Sequence, residues 1–111
     1  MIPPSAGLLD ESLPIKLSYF FGEEHEVLTV KDMNWLGKKN GELLRLIIEN
    51  NFQVFVTADR NLPYQQNLKD ITFILAILCG VNNRQQTYIN LIPKLLDLLK
   101  NAEPPSVVQV S

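Results

Sequence analysis

Gln53-Val54-Phe55-Val56-Thr57-Ala58-Asp59 is an apolar run that stops at an acid. A second run, Gly7-Leu8-Leu9, stops the same way at Asp10 and Glu11. Strands of a parallel sheet are buried on both faces and read as apolar runs. Ligands of such sheets bind just beyond the carboxyl ends of the strands. Acids at two such ends converge on one edge. Convergent carboxylates repel one another unless a hard cation such as Mg²⁺ or Mn²⁺ lies between them. The two runs therefore predict an α/β fold with a metal site, and a metal site suggests phosphoryl chemistry.

Working outward, strands and helices alternate. Residues 6–9 read as a first strand and 13–21 as a helix, with Ser12 as its N-cap, Pro14 in its first turn and Gly22 as its stop. Residues 25–30 alternate as a second strand, and 32–37 form a turn or short helix. The clearest helix is 40–50, with Leu43, Leu44, Ile47 and Ile48 on one face. Asn40 is its expected cap, and Asn50-Asn51 its left-handed end. The third strand is 53–58. A loop or short helix follows at 61–68, and the apolar run 72–79 gives a fourth strand of central position. The last helix carries Ile89, Ile92, Leu95, Leu96 and Leu99. Pro93 sits in that pattern, which predicts a start near Ile89 or Asn90, where a missing N–H costs nothing. Residues 107–110 suit an edge strand. The pattern predicts parallel pairing with right-handed crossovers.

Bulk properties bound the rest. The chain has 111 residues, enough for one domain with a real core, and 46% hydrophobic with 20% charged residues marks a globular class. Net charge is −2, so there is no basic excess of a dedicated nucleic-acid binder. Residues 1–60 hold nine of the acids and six of the bases, so the candidate site lies in the acidic part. The single cysteine, Cys79, excludes an internal disulfide and reads as a buried structural thiol. Residues 1–5 lack the basic and apolar regions of a signal peptide. No apolar run approaches the ~20 residues of a membrane helix. A cytoplasmic protein without membrane attachment is the resulting expectation.

Each candidate has a bland reading beside the chemical one. Asp10 and Glu11 equally suit a helix start. Asp59 equally suits an Asx turn. Glu42 reads as a solvated first-turn acid that can also reach the carboxyl edge, and Thr57 as a strand residue or a hydroxyl that orients a carboxylate. Lys38, Lys39 and Arg60 are the bases near the site able to face a phosphate backbone. His25 reads as a surface residue and Trp35 as core. The glycines form no phosphate-cradling motif.

Three segments resemble one family. Leu9-Asp10-Glu11-Ser12-Leu13-Pro14 resembles the LDENLP opening of the PIN-like domain family, in its toxin-like group (DUF5615). VKDMNWLGKKNGELL at 30–44 resembles the family's middle segment, and VFVTADRNL at 54–62 its VLVTxDxDF segment. The resemblance covers roughly residues 6–100, with 101–111 left as a tail or edge strand of the single domain. It implies a three-layer α/β/α sandwich with a central, mostly parallel sheet of four to five strands. It also implies a Mg²⁺- or Mn²⁺-dependent ribonuclease of toxin–antitoxin type, with RNA as substrate, an antitoxin-like protein partner and a homodimer. By position Asp10, Glu11 and Asp59 match family acids and form the implied catalytic set. Asp10, Asp59, Glu42 and Asn61 are the implied metal ligands, and Asn40, Thr57 and Arg60 the supporting residues. The chain departs from the pattern at Asn40, which stands where the family has a helix-start acid, and at Asn61, which stands at the second acid of DxD. Those departures keep a second reading open: a degenerate PIN-like module that binds protein. A third reading, a receiver-like phosphoacceptor, lacks the hydroxyl residue after strand four and the lysine after strand five.

Overall fold

The structure is a computed structural model that describes residues 6–23 and 25–111. The signal-peptide reading of residues 1–5 lies outside the described residues, as does Glu24. Five strands form one sheet: β1 (Gly7–Leu9), β2 (Val27–Thr29), β3 (Val54–Thr57), β4 (Ile74–Leu78) and β5 (Ser106–Val110). Their order is β2-β1-β3-β4-β5, and every pairing is parallel. Leu8 lies beside Phe55, and Phe55 beside Leu75.

Strand residues alternate between the two faces. Leu8, Phe55, Leu75 and Ile77 join one apolar layer with Leu43, Leu44 and Ile47 of α1 (Asn40–Glu49) and Leu62 of α2 (Leu62–Gln65). Leu9, Val56, Ala76 and Leu78 join the other layer. There they meet Leu13, Leu17 and Phe21 around a 3₁₀ helix (Ile15–Phe21), with Leu91, Ile92 and Leu95 of α3 (Gln85–Leu99). The fold is the expected α/β/α sandwich, and β4 is buried along its whole length as its apolar run predicts.

The connections do not share one hand. The steps β3 to β4 and β4 to β5 run in the same direction across the sheet, yet α2 and α3 cover opposite faces. The last crossover therefore has the opposite hand to the one before it, against the expectation of uniform right-handed connections. Burial explains the exception. The short 3₁₀ helix cannot cover its face alone, and α3 shields Ala76, Leu78 and Val108 there.

Local differences from the sequence reading also have causes. The helix expected at 13–21 is 3₁₀, begins at Ile15 and closes with i to i+3 bonds such as Leu17 N–H to Pro14 C=O. Ser18 Oγ donates to Ile15 C=O at 3.0 Å, a side-chain competitor of α-helical bonding. Ser12 does not cap this helix; its hydroxyl is used at the acid cluster. β2 is shorter than expected because Thr29 and Asp32 bond reciprocally and turn the chain. Asn40 is the first residue of α1 rather than its cap, which is Lys39. The left-handed end is as read: Asn51 has φ 59°, and Phe52 N–H reaches back to Ile47 C=O. Trp35 is half-buried at the margin of the core, where it packs edge-on against Phe52. Cys79 is half-buried rather than buried.

Helix α3 starts at Gln85, well before the position expected from Pro93. Pro93 thus lies in the helix interior, where it removes a backbone bond to Ile89 C=O. Its exposed position lets water serve that carbonyl. Pro93→Ala is expected to stabilise the fold by about 2 kcal/mol in a thermal melt, since an interior proline costs ~3 and part of that returns as unfolded-state entropy.

Candidate functional site

β1 and β3 are neighbours, but their onward connections leave toward opposite faces. Such a switch point opens a crevice at the carboxyl edge. The reversed last crossover sends the chain after β4 to the face opposite α2 as well. The end of β3 is thus flanked by a parting of the chain on both sides, and Asp59 stands there.

The acids are tied together through hydroxyls. Thr57, fully buried at the end of β3, donates from Oγ1 to Asp10 Oδ2 at 2.8 Å. The same oxygen accepts the Asp59 backbone N–H at 3.1 Å. Ser12 Oγ also donates to Asp10 Oδ2, at 2.7 Å, and accepts the Ala58 N–H at 3.2 Å. Asp10 N–H donates to Val56 C=O at 2.9 Å, which locks its backbone to β3. Asp59 Oδ1 accepts the Asn61 N–H at 2.9 Å, the Asx turn that the sequence allowed. Both expected roles of Asp59's loop are thus compatible: the turn fixes one oxygen and leaves the carboxylate at the edge.

Other candidates are placed elsewhere. Glu11 turns toward the loop after β2, where its Oε1 accepts Gly37 N–H at 3.3 Å. Glu42 pairs with Lys38 at 3.2 Å on the first turn of α1. Asn40 also belongs to α1, and no side-chain bond caps that helix. Arg60 donates to Gly80 C=O and so joins the loop after β3 to that after β4. Gly80 is required at this junction, because a Cβ there would lie 2.7 Å from Asn82 O and 2.8 Å from Thr87 Cγ2. His25 is exposed at the opposite, amino edge of the sheet. Among the described residues, no three His, Cys, Asp or Glu side chains come together as a metal cluster.

Sequence reading missed Ser12 as a partner of Asp10. The i, i+2 spacing of Asp10 and Ser12 was the available signal, but the following Pro14 drew the serine into a capping role. It also missed how bases gather. The carboxyl-edge loops carry Lys31, Lys38, Lys39, Arg60 and Arg84, half of the chain's ten bases, against Asp10, Glu11, Asp32 and Asp59. The amino-edge loops, among the described residues, carry Lys69 and Lys100 against Glu23, Glu26, Asp70 and Glu103. The molecule is electrically polar along its strands although its net charge is small.

No helix of the described chain is long and apolar enough to cross a membrane. Comparison with protein-family models, with curated proteins and with solved structures finds no match.

The Thr57 hydroxyl gives a direct check of the cluster. Thr57→Val keeps the shape of a buried strand residue and removes the bridge. Loss of an outer-shell partner costs about 10–100-fold in metal affinity. Calorimetric Mn²⁺ titration is expected to show a loss of that size with an unchanged circular dichroism spectrum, and Thr57→Ser is expected to restore binding.

Proposed function

We propose that this chain is a Mg²⁺- or Mn²⁺-dependent ribonuclease of the PIN-like kind. The observation that supports the reading is the Thr57 hydroxyl, which bonds the Asp10 carboxylate and the Asp59 backbone N–H and so ties the two acid-bearing segments together at the β1/β3 switch point. Two carboxylates suit Mg²⁺, which keeps several waters and is bound by one or two carboxylates plus substrate phosphate. Asp10 and Asp59 would hold the ion, and Asn61 could add a neutral oxygen. Hydroxyl donors fall on Asp10 Oδ2, so Oδ1 is the oxygen offered to the ion. A bound ion supplies an activated water and neutralises charge on the phosphodiester.

The remaining residues do ordinary electrostatic work. Ser12 and Thr57 fix the Asp10 rotamer. Lys31, Lys39 and Arg84 draw a polyanion to the carboxyl edge, and Arg60 fixes the loop beside Asp59. Glu11, held near Gly37, can orient a water or a substrate donor. RNA as substrate, an antitoxin-like partner, a homodimer and cytoplasmic location belong to this same proposal.

One observation favours the second reading, a degenerate module that binds protein. No third acid joins Asp10 and Asp59 among the described residues. The receiver-like reading shares the strand order β2-β1-β3-β4-β5. It lacks its reactive side chains, because Gly80 follows β4 closely and Ser111 follows β5. Mn²⁺ titration followed by incubation with single-stranded RNA separates these readings. Binding and cleavage that require Asp59 support the nuclease, and absence of both leaves the binding module.

A further inference from the structure

A cavity of about 110 Å³ opens beside Asp10, between the 3₁₀ helix and the loop after β2. Its floor is Leu9, Leu13 and Val30, all buried. Its mouth is formed by Ile15 and Leu36, which are 48% and 55% exposed. Glu11 and Lys31 stand on its rim.

We infer that this cavity receives one nucleobase of the substrate strand, a base bearing an exocyclic amino group. The inference rests on the ribonuclease reading and extends it. The volume equals roughly four waters at ~30 Å³ each, room for the edge of a flat ring entering from the open mouth and not for a sugar with its phosphate. Apolar walls suit the faces of the ring and would strip a phosphate of its water at high cost. The rim supplies an acceptor, since Glu11 is a carboxylate with one oxygen beyond its bond to Gly37 N–H. Adenine, cytosine and guanine carry amino donors, and uracil does not. The loop that forms the outer wall carries Lys31 and Lys39, with Lys38 paired to Glu42, against one acid of its own, Asp32. That charge complements the phosphates on either side of a buried base. Continuity with Asp10 then sets the neighbouring phosphodiester at the acid pair.

The test uses nucleoside monophosphates, which contain no phosphodiester to cut. Methyl-labelled protein is titrated with AMP, CMP, GMP and UMP and followed by NMR. The Leu13, Ile15 and Leu36 methyl signals are expected to move with the first three nucleotides. UMP is expected to bind about tenfold more weakly, the worth of one hydrogen bond to a charged group. Leu36→Asp is expected to abolish the shifts, and Leu98→Asp, at an exposed site on α3, to leave them. Glu11→Gln is expected to erase the preference against UMP, because an amide both donates and accepts. Equal binding of all four nucleotides overturns the inference. So does silence at these methyls, which would leave the cavity to an apolar side chain of a protein partner. If the methyls stay silent while RNA is still cut, the nuclease reading stands without this pocket. If Mn²⁺ binding and cleavage are absent but the shifts persist with the expected preference, the base site stands without the nuclease.

Discussion

Asp59→Asn is expected to abolish Mn²⁺ binding and RNA cleavage while leaving the fold as stable as before, or more so. The metal effect follows from the ligand count. Among the described residues no third acid joins Asp10 and Asp59 as a metal cluster, so in the proposed site one substitution removes one of two charged ligands. Loss of an outer-shell partner already costs about 10–100-fold, and loss of a ligand is expected to cost at least about 100-fold. The stability effect has the opposite direction. Asp10 and Asp59 both follow strands at the carboxyl edge, and an amide removes one of the two like charges there. Asparagine also keeps an oxygen for the Asn61 N–H. Asp10→Asn is expected to behave alike, because its oxygen still accepts from Ser12 and Thr57. Calorimetry with Mn²⁺ and a thermal melt on the same samples check both halves. Unchanged affinity in both variants would refute the metal assignment. A large fall in melting temperature would recast these acids as structural.

Phe73→Ala is expected to cost about 3–5 kcal/mol, the range for large aromatic truncations in a packed core. Phe73 is fully buried where the chain enters β4. Its ring meets Phe55 edge-to-face, with centroids 6.4 Å apart and planes at 85°. Its cluster also contains Ile47, Leu62 and Leu75, so a void here loosens β3, β4 and both helices of that face. At roughly 4 °C per kcal/mol for a domain of this size, the melting temperature is expected to fall by about 12–20 °C. Phe20, which is 47% exposed on the 3₁₀ helix, is the matched control. Phe20→Ala is expected to stay within about 1 kcal/mol, because little apolar area returns to water. Urea titrations of both variants separate a stability loss from a change in cooperativity. Equal effects at the two positions would contradict the layer assignment of Phe73.

The sandwich was legible because its strands are buried on both faces. Val54 to Thr57 and Ile74 to Leu78 carry apolar side chains to both layers, and uninterrupted runs of that kind have few other folds. Asp10 and Asp59 stood out as candidates because they end the apolar runs that begin at Gly7 and Val54. What escaped depended on contacts distant in sequence. The assignment of Ser12 as a cap failed because its hydroxyl is taken by Asp10 and by the Ala58 N–H, which lies 46 residues on. The 3₁₀ character of Ile15–Phe21 turned on one local bond from Ser18. Helix α3 tolerates Pro93 because the opposite side of the helix is anchored by Leu91, Ile92 and Leu95. The hand of the last crossover could not be read at all, since it reflects which face remained uncovered. The gathering of Lys31 and Arg84 with Arg60 needed the topology.

An all-parallel sheet has a consequence for how the chain reaches its native state. No two of these strands meet through a tight turn, and Gly7 must find Val54 before β1 is flanked on both sides. Loop-closure entropy is spent before such distant pairings return any stability. Assembly is therefore slow for the chain's length, on the scale of milliseconds or longer, and β1 stays an open edge while later residues are synthesised. The acid pair shares that fate. Asp10 emerges early, but its partner hydroxyl on Thr57 arrives only with β3, so the crevice is born together with the centre of the sheet. A nascent chain has no competent edge until the sheet closes around β3. Whatever this edge does is accordingly delayed until folding is nearly complete.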